Sequence, residues 1–193
     1  MRIHCRNMQS LFYCVLVIFS ALLLEVPMAS GKAKHQLNHD VTDAFKMFEV
    51  FAYAIAAFDA DDDGDLDCAM MVRQQLDEKQ KTATYVFVLA PVNGRQPENH
   101  TYYVKEGSTT DKPVFTVDDG ANGEETVYFI YTNYKNCVVA DFPFKNRQSC
   151  GLWVTKDVLH SFPQECIDQF QDNCDRAVLV FDDETCKAVF DYI

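Results

Sequence analysis

The sequence predicts an all-β domain with short helices, in which antiparallel strands follow one another in up-and-down order and close into a barrel. Three observations lead there. From Cys68 onward, β-like segments alternate with turn-rich connections. The segment behind an N-terminal leader has the size of one domain with a sizeable core, and it carries six cysteines, an even set suited to an oxidising compartment.

The leader comes first. Arg2 and Arg6 precede an apolar run over residues 11–24, and Ala29-Ser30-Gly31 supplies small residues for cleavage, so residues 1–31 read as a secretory signal peptide and 32–193 as the barrel domain. The run is short for a membrane anchor, and no second one follows, so an extracellular protein with no membrane partner is expected. Without residues 1–31 the chain holds fifteen basic against twenty-eight acidic side chains, a net charge of −13. Such a surface repels phosphate backbones and makes nucleic acid an unsuitable partner.

Asp40 or Thr42 can cap a short helix whose apolar face includes Val41, Phe45 and Phe48. Residues 50–58 are apolar throughout, and periodicity alone does not divide strand from helix there, although Ala54, Ala56 and Ala57 favour helix. Residues 59–67 reproduce the start of an EF-hand loop, with acids at positions 1, 3 and 5, Gly64 at position 6 and Asp67 at position 9. Position 12, where a bidentate glutamate belongs, is Met70, so an acidic surface connection is expected and no metal or other cofactor. The strands then run over residues 68–75, 82–90, 101–105, 114–118, 126–131 and 137–142, separated by turn residues such as Asn93-Gly94, Gly107-Ser108 and Asp119-Gly120. Asn99-His100-Thr101 is a glycosylation sequon in an expected loop. Trp153 lies in a buried strand; residues 156–162 and 163–173 form two short helical pieces, and 177–181 a last strand.

Cys5 and Cys14 leave with the leader. Cys68, Cys137, Cys150, Cys166, Cys174 and Cys186 remain, with fifteen possible pairings. Zinc would need a Cys-x-x-Cys pair or a close Cys/His cluster, and neither is present. Of five histidines only His100 and His160 fall in the folded body, and no nucleophile elbow, zinc-protease helix or phosphate loop occurs, so no enzyme is expected.

Cys137-Val138-Val139, followed by Gly151-Leu152-Trp153 and Cys166, resembles the signature of the tick salivary lipocalins, the histamine-binding protein family. In that signature Cys-Asp-(Val/Ile/Leu) precedes Glu-Leu-(Trp/Tyr) and a cysteine, so Val138 stands where the family has Asp and Gly151 where it has Glu. Asp43-Ala44-Phe45-Lys46 is similar to the family's Asp-Ala-Trp-Lys, and residues 81–87 and 131–137 also look like the family, which extends the resemblance over most of the domain.

The resemblance implies an eight-stranded lipocalin barrel with N-terminal and C-terminal helical segments, a first strand at residues 50–58, and bridges Cys68–Cys186 and Cys137–Cys166, leaving Cys150–Cys174. It implies a ligand site inside the barrel. Phe45 would plug the entrance, and Phe115, Tyr128 and Ile130 would face the cavity, with Val127, Phe129 and Tyr131 turned away. Phe58, Val138, Gly151 and Trp153 complete the apolar set, and Asp61, with Asp59 and Glu49, is the candidate carboxylate for an amine. The function expected is a monomeric secreted binder that sequesters a small host mediator, with an apolar or amphipathic ligand preferred to histamine because the two signature acids are missing. A calcium-dependent protein using residues 59–67, or a lipocalin that holds a host protein on its surface, are the alternatives.

Overall fold

Asp43 is extended, and its carboxylate accepts the Lys46 N–H at 3.1 Å, which starts helix α1 (Ala44–Val50). The cap is therefore Asp43, not Asp40 or Thr42. Val41 lies outside the helix and is exposed, while Phe45, Met47 and Phe48 form the buried face. These elements belong to a computed structural model that describes residues 37–92, 94–174 and 176–193, all within one unit, Lys34–Ile193. The expected signal peptide lies outside the described residues.

The chain leaves α1 into strand β1 (Tyr53–Asp59), which starts three residues later than expected. Its three alanines, good helix formers in isolation, are strand residues here because ladders to neighbours on both edges override propensity. There follow β2 (Ala69–Asp77), β3 (Thr82–Leu89), β4 (Glu98–Lys105), β5 (Val114–Val117), β6 (Glu125–Thr126), β7 (Tyr128–Thr132), β8 (Cys137–Phe144) and β9 (Arg147–Val154). Strand β4 begins earlier than expected and takes in Asn99, which is therefore an exposed strand residue paired with Val88 instead of a loop residue.

The sheet runs β6-β5-β4-β3-β2-β1-β9-β8-β7, antiparallel at every step. Only Val127 separates β6 from β7, and its N–H bonds the Pro113 carbonyl at 3.2 Å while that of Phe129 bonds Asp111 at 2.9 Å. Together β6 and β7 act as one interrupted strand that carries the wall from β5 to β8. The β1–β9 ladder closes the other side, so the wall has eight staves, the number that leaves room for side chains or one small ligand.

Closure divides the apolar residues into two cores. One fills the barrel, with Phe48, Phe51, Tyr85, Phe87, Phe115 and Trp153 among its members. The other lies against the outer wall under helix α2 (Gln164–Asn173), the 3-10 turn Lys187–Tyr192 and the short strand β10 (Val178–Leu179), which pairs with the end of β1. A 3-10 turn at Lys156–Val158 replaces the longer helical piece expected there.

Three disulfides tie this outer layer to the wall: Cys68–Cys186, Cys137–Cys166 and Cys150–Cys174, the pairs that the resemblance implies. Their loops differ in span. Cys68 and Cys186 are 118 residues apart and Cys150 and Cys174 only 24, which corresponds to about 5 and about 3.5 kcal/mol in the chain-entropy account. Replacing Cys68 and Cys186 together by Ser should accordingly lower the calorimetric melting temperature more than replacing Cys150 and Cys174; equal or inverted losses would show that native-state strain outweighs loop closure.

Candidate functional site

Helix α1 closes one end of the barrel. The Ala44 N–H bonds the Thr110 carbonyl at 2.9 Å, the Tyr134 hydroxyl accepts the Asp43 N–H at 2.8 Å, and Arg73 donates to the Phe48 carbonyl. The helix turns Met47 and Phe48 inward, with Phe51 just beyond it, over a cavity of about 110 Å³. The wall contributes Ala54 and Met71 from β1 and β2, Tyr85 and Phe87 from β3, and Tyr102 and Val104 from β4. Phe115, Val127 and Phe129 complete the side facing them, and Val138, Ala140, Phe142 and Trp153 line the rest.

Among the described residues, no carboxylate, amine or guanidinium lines this space. The polar side-chain groups of its lining residues are two tyrosine hydroxyls and one indole N–H. The Tyr85 hydroxyl donates to the Phe51 carbonyl at 2.9 Å, and burial raises the pKa of both Tyr85 and Tyr102, so both hydroxyls remain protonated donors. Rings stack at the far end: Trp153 lies 5.9 Å from Phe87 and 5.8 Å from Phe142, and Phe87 lies 5.2 Å from Phe144. Such edge and tilted contacts make a rigid floor.

Of the expected ligand residues, Phe115, Val138 and Trp153 line the cavity. Phe45 stands behind it, its ring 5.2 Å from Phe48, and borders a small polar hollow with Asp43, Lys81 and Glu106. Tyr128 and Ile130 do not line it; they face the outer core, and Val127 and Phe129 take the inward positions. Both faces of this strand are apolar because both are covered, so alternation separates the pair sets without saying which is inside. A bulge between Phe129 and Tyr131 then turns Tyr131 outward too.

Phe58 is outside for a related reason. Ala56 pairs with Trp153, but the register shifts before Phe58, which pairs with outward-facing Leu152 and packs its ring 5.1 Å from Phe162 and 6.0 Å from Phe170. Asp59 then pairs with Gly151 on the inward side. Asp61 and Glu49 do not reach the cavity: Glu49 is exposed on α1, and Asp61 belongs to the loop after β1. Gly151 leaves no room for the family's glutamate, since a Cβ there would lie 2.9 Å from Trp153 Nε1 and 3.5 Å from the Phe58 carbonyl oxygen.

Beyond the plug expected at Phe45, the expected ligand set contains no residue of α1 and none of β3. A helical spacing at Met47, Phe48 and Phe51, and a period of two through Ala83, Tyr85, Phe87 and Leu89, carry that signal.

Beyond the aromatic floor the barrel end is acidic. Asp59 is 1% exposed, and one oxygen of its carboxylate accepts the Ala60 N–H at 2.7 Å. Arg147, from the first position of β9, bridges Asp63 and Asp65. Burial pushes both Asp59 and Asp65 up to about 6, and the nearby charge of Asp61 adds to the shift.

A family model described as tick histamine binding protein matches residues 30–188. None of the curated proteins matches the chain by sequence. Similar solved structures include Japanin from Rhipicephalus appendiculatus bound to cholesterol, 14% identical, covering 69% of this chain and 94% of that one with a TM-score of 0.49. The AM182 serotonin complex is 20% identical, with 70% and 86% covered and a TM-score of 0.48. The tryptamine complex of the amine binding protein of Rhodnius prolixus is 17% identical, with 79% and 93% covered and a TM-score of 0.47.

The raised carboxyls carry a pH dependence. A folded-state pKa of about 6 against 3.8 means that the folded protein binds extra protons between these values, so this contribution to stability is complete below about pH 4 and lost as pH rises through 6. Melting temperatures measured from pH 4.5 to 7.5 should fall more steeply for the natural protein than for Asp59→Asn. Parallel curves would mean that Asp59 titrates as it does in water.

Proposed function

The chain belongs to the tick histamine-binding protein family, and from that premise we propose that it is a secreted salivary lipocalin that withdraws a small apolar or amphipathic host mediator from solution. The observation that carries this reading is the composition of the cavity: sixteen lining residues, none of them charged. An ammonium ion buried there would lose its hydration without a carboxylate to offset the loss. Val138 occupies one of the two family acid positions with a methyl-bearing side chain on the cavity wall, and the Trp153 indole covers the other at Gly151. Two missing charge-assisted contacts at roughly 1.5–3 kcal/mol each correspond to two to four orders of magnitude in amine affinity.

The binding mechanism needs no chemistry. A preformed apolar space takes up the ligand body through shape and ring contacts, and the ligand is removed one molecule per protein. The cavity of about 110 Å³ is of the order of engineered cavities that hold one benzene ring. A longer lipid, such as a fatty acid or leukotriene, would require the cavity to enlarge, and Met47 and Met71, with unbranched side chains, are the lining residues that repack at low cost. A glycan on Asn99, beside Thr101 and Tyr103 on the outward face of β4, would not obstruct the interior.

Trp153 is the only tryptophan and lines the cavity, so its fluorescence reports occupancy. Titration of purified protein with arachidonic acid, leukotriene, serotonin and histamine should give submicromolar binding for a lipid and a histamine affinity at least a hundredfold weaker. Submicromolar histamine binding overturns the proposal. Val138→Asp should weaken the lipid at least tenfold, because it places a carboxylate in the apolar wall; an unchanged affinity would move the ligand elsewhere.

A further inference from the structure

We infer that Asp59, Asp63 and Asp65 form a calcium site at the acidic end of the barrel, separate from the apolar cavity. Each of the three offers a carboxylate oxygen, and these oxygens lie within 4.8 Å of one another. Two oxygens bound on opposite sides of one calcium ion at 2.3–2.6 Å are at most about 5 Å apart, so the spacing suits a shared ion. The second observation is independent of the clustering. Asp65 is only 8% exposed, and its Oδ1 is buried with no hydrogen-bond partner among the described residues, while Oδ2 receives Arg147 at 2.7 Å. A buried carboxylate oxygen left unsatisfied costs free energy that a bound cation recovers.

Charge points the same way. Asp59, Asp63 and Asp65 are joined by Asp61, close enough to perturb two of them, and Arg147 is the cation in direct contact with Asp63 and Asp65. Arg95 donates its hydrogen bonds to the carbonyls of Gly64, Asp65, Asp67 and Ala90, so it shapes the loop without pairing these carboxylates. The same contacts exclude an EF-hand: the carbonyl at position 7, that of Asp65, is taken by Arg95, and Met70 at position 12 is buried in the outer core. The missing glutamate at position 12 therefore removes the EF-hand geometry and not the three-carboxylate cluster. Asp63 is the solvent-facing ligand through which an ion arrives, and Arg147, half-exposed, is its competitor for Asp63 and Asp65. Three carboxylates with water completing the shell suit the weak sites of extracellular modules, with Kd of about 10⁻⁴–10⁻³ M.

Calorimetric titration of the purified full-length domain with calcium chloride at pH 7.5 should give one site of submillimolar to millimolar Kd. Asp65→Asn should weaken it at least tenfold. Arg147→Gln, which frees both carboxylates, should tighten it several-fold, and this variant keeps the test decisive even if Asp65→Asn fails to fold. Asp62→Asn, an exposed neighbour outside the cluster, should leave the affinity within twofold. Absence of binding up to 5 mM calcium, an affinity indifferent to both Asp65→Asn and Arg147→Gln, or an equal loss in Asp62→Asn would each overturn the site. Lipid binding monitored through Trp153 should be unaltered in Arg147→Gln, which separates failure of this site from failure of the cavity.

Discussion

Closure of the wall by the β1–β9 ladder is the constraint on which the rest of this structure depends. Ile55 opposite Val154, Ala56 opposite Trp153 and Asp59 opposite Gly151 turn a sheet with two edges into a barrel with an inside. Once that inside exists, each strand must divide its side chains between it and the outer wall. The interrupted strand β6–β7 completes the circuit with two short ladders, one to β5 and one to β8. Because the disulfides all run between wall and outer layer, they hold α2 and the C-terminal turn in place without crossing the cavity. The interior is left free for a ligand.

The same closure separates two chemistries along the barrel axis. Towards α1 the interior is apolar and capped by Phe48 and Phe51; past the rings of Phe87, Phe142 and Trp153 it becomes acidic. The separation has an electrostatic logic. Carboxylates as buried as Asp59 are tolerable when a backbone N–H, an arginine or an ion faces them, and the Ala60 N–H and Arg147 supply such partners at the barrel end, where water is near. No such partners line the cavity. A ligand in the cavity and a cation at the far end would thus meet different environments within one barrel, with Trp153 and Gly151 between them.

Most of the wall was legible in order. Six strand segments with turn residues between them and six cysteines suffice for an antiparallel domain stapled at its surface, because strand and turn chemistry is local. The errors have a common cause. Alternation along residues 126–131 sorted Val127 and Phe129 from Tyr128 and Ile130, yet assigned the wrong set to the cavity, since a strand covered on both faces is apolar on both. Phe58 was misplaced by one bulge, and Asp61 because proximity in sequence to β1 does not carry a side chain past the end of the strand. Phe48 belongs to the apolar face that the helix spacing predicts, but that Met47, Phe48 and Phe51 line a cavity is decided only where the helix meets the wall of the finished barrel.

The sequence by itself determined the fold class, the family and the loss of two signature acids, all of which follow from residue identity and spacing at Val138, Gly151 and the six cysteines. It also determined that no bidentate glutamate stands at position 70. Only the tertiary structure decided which apolar residues face a ligand, because register, two bulges and the outer layer under α2 set direction, and these are relations between strands distant in sequence. It alone brought Arg147 to Asp63 and Asp65, across more than eighty residues, and left Asp65 with a buried unpaired oxygen. Charges that are far apart along the chain acquire their energies only from the space they come to share.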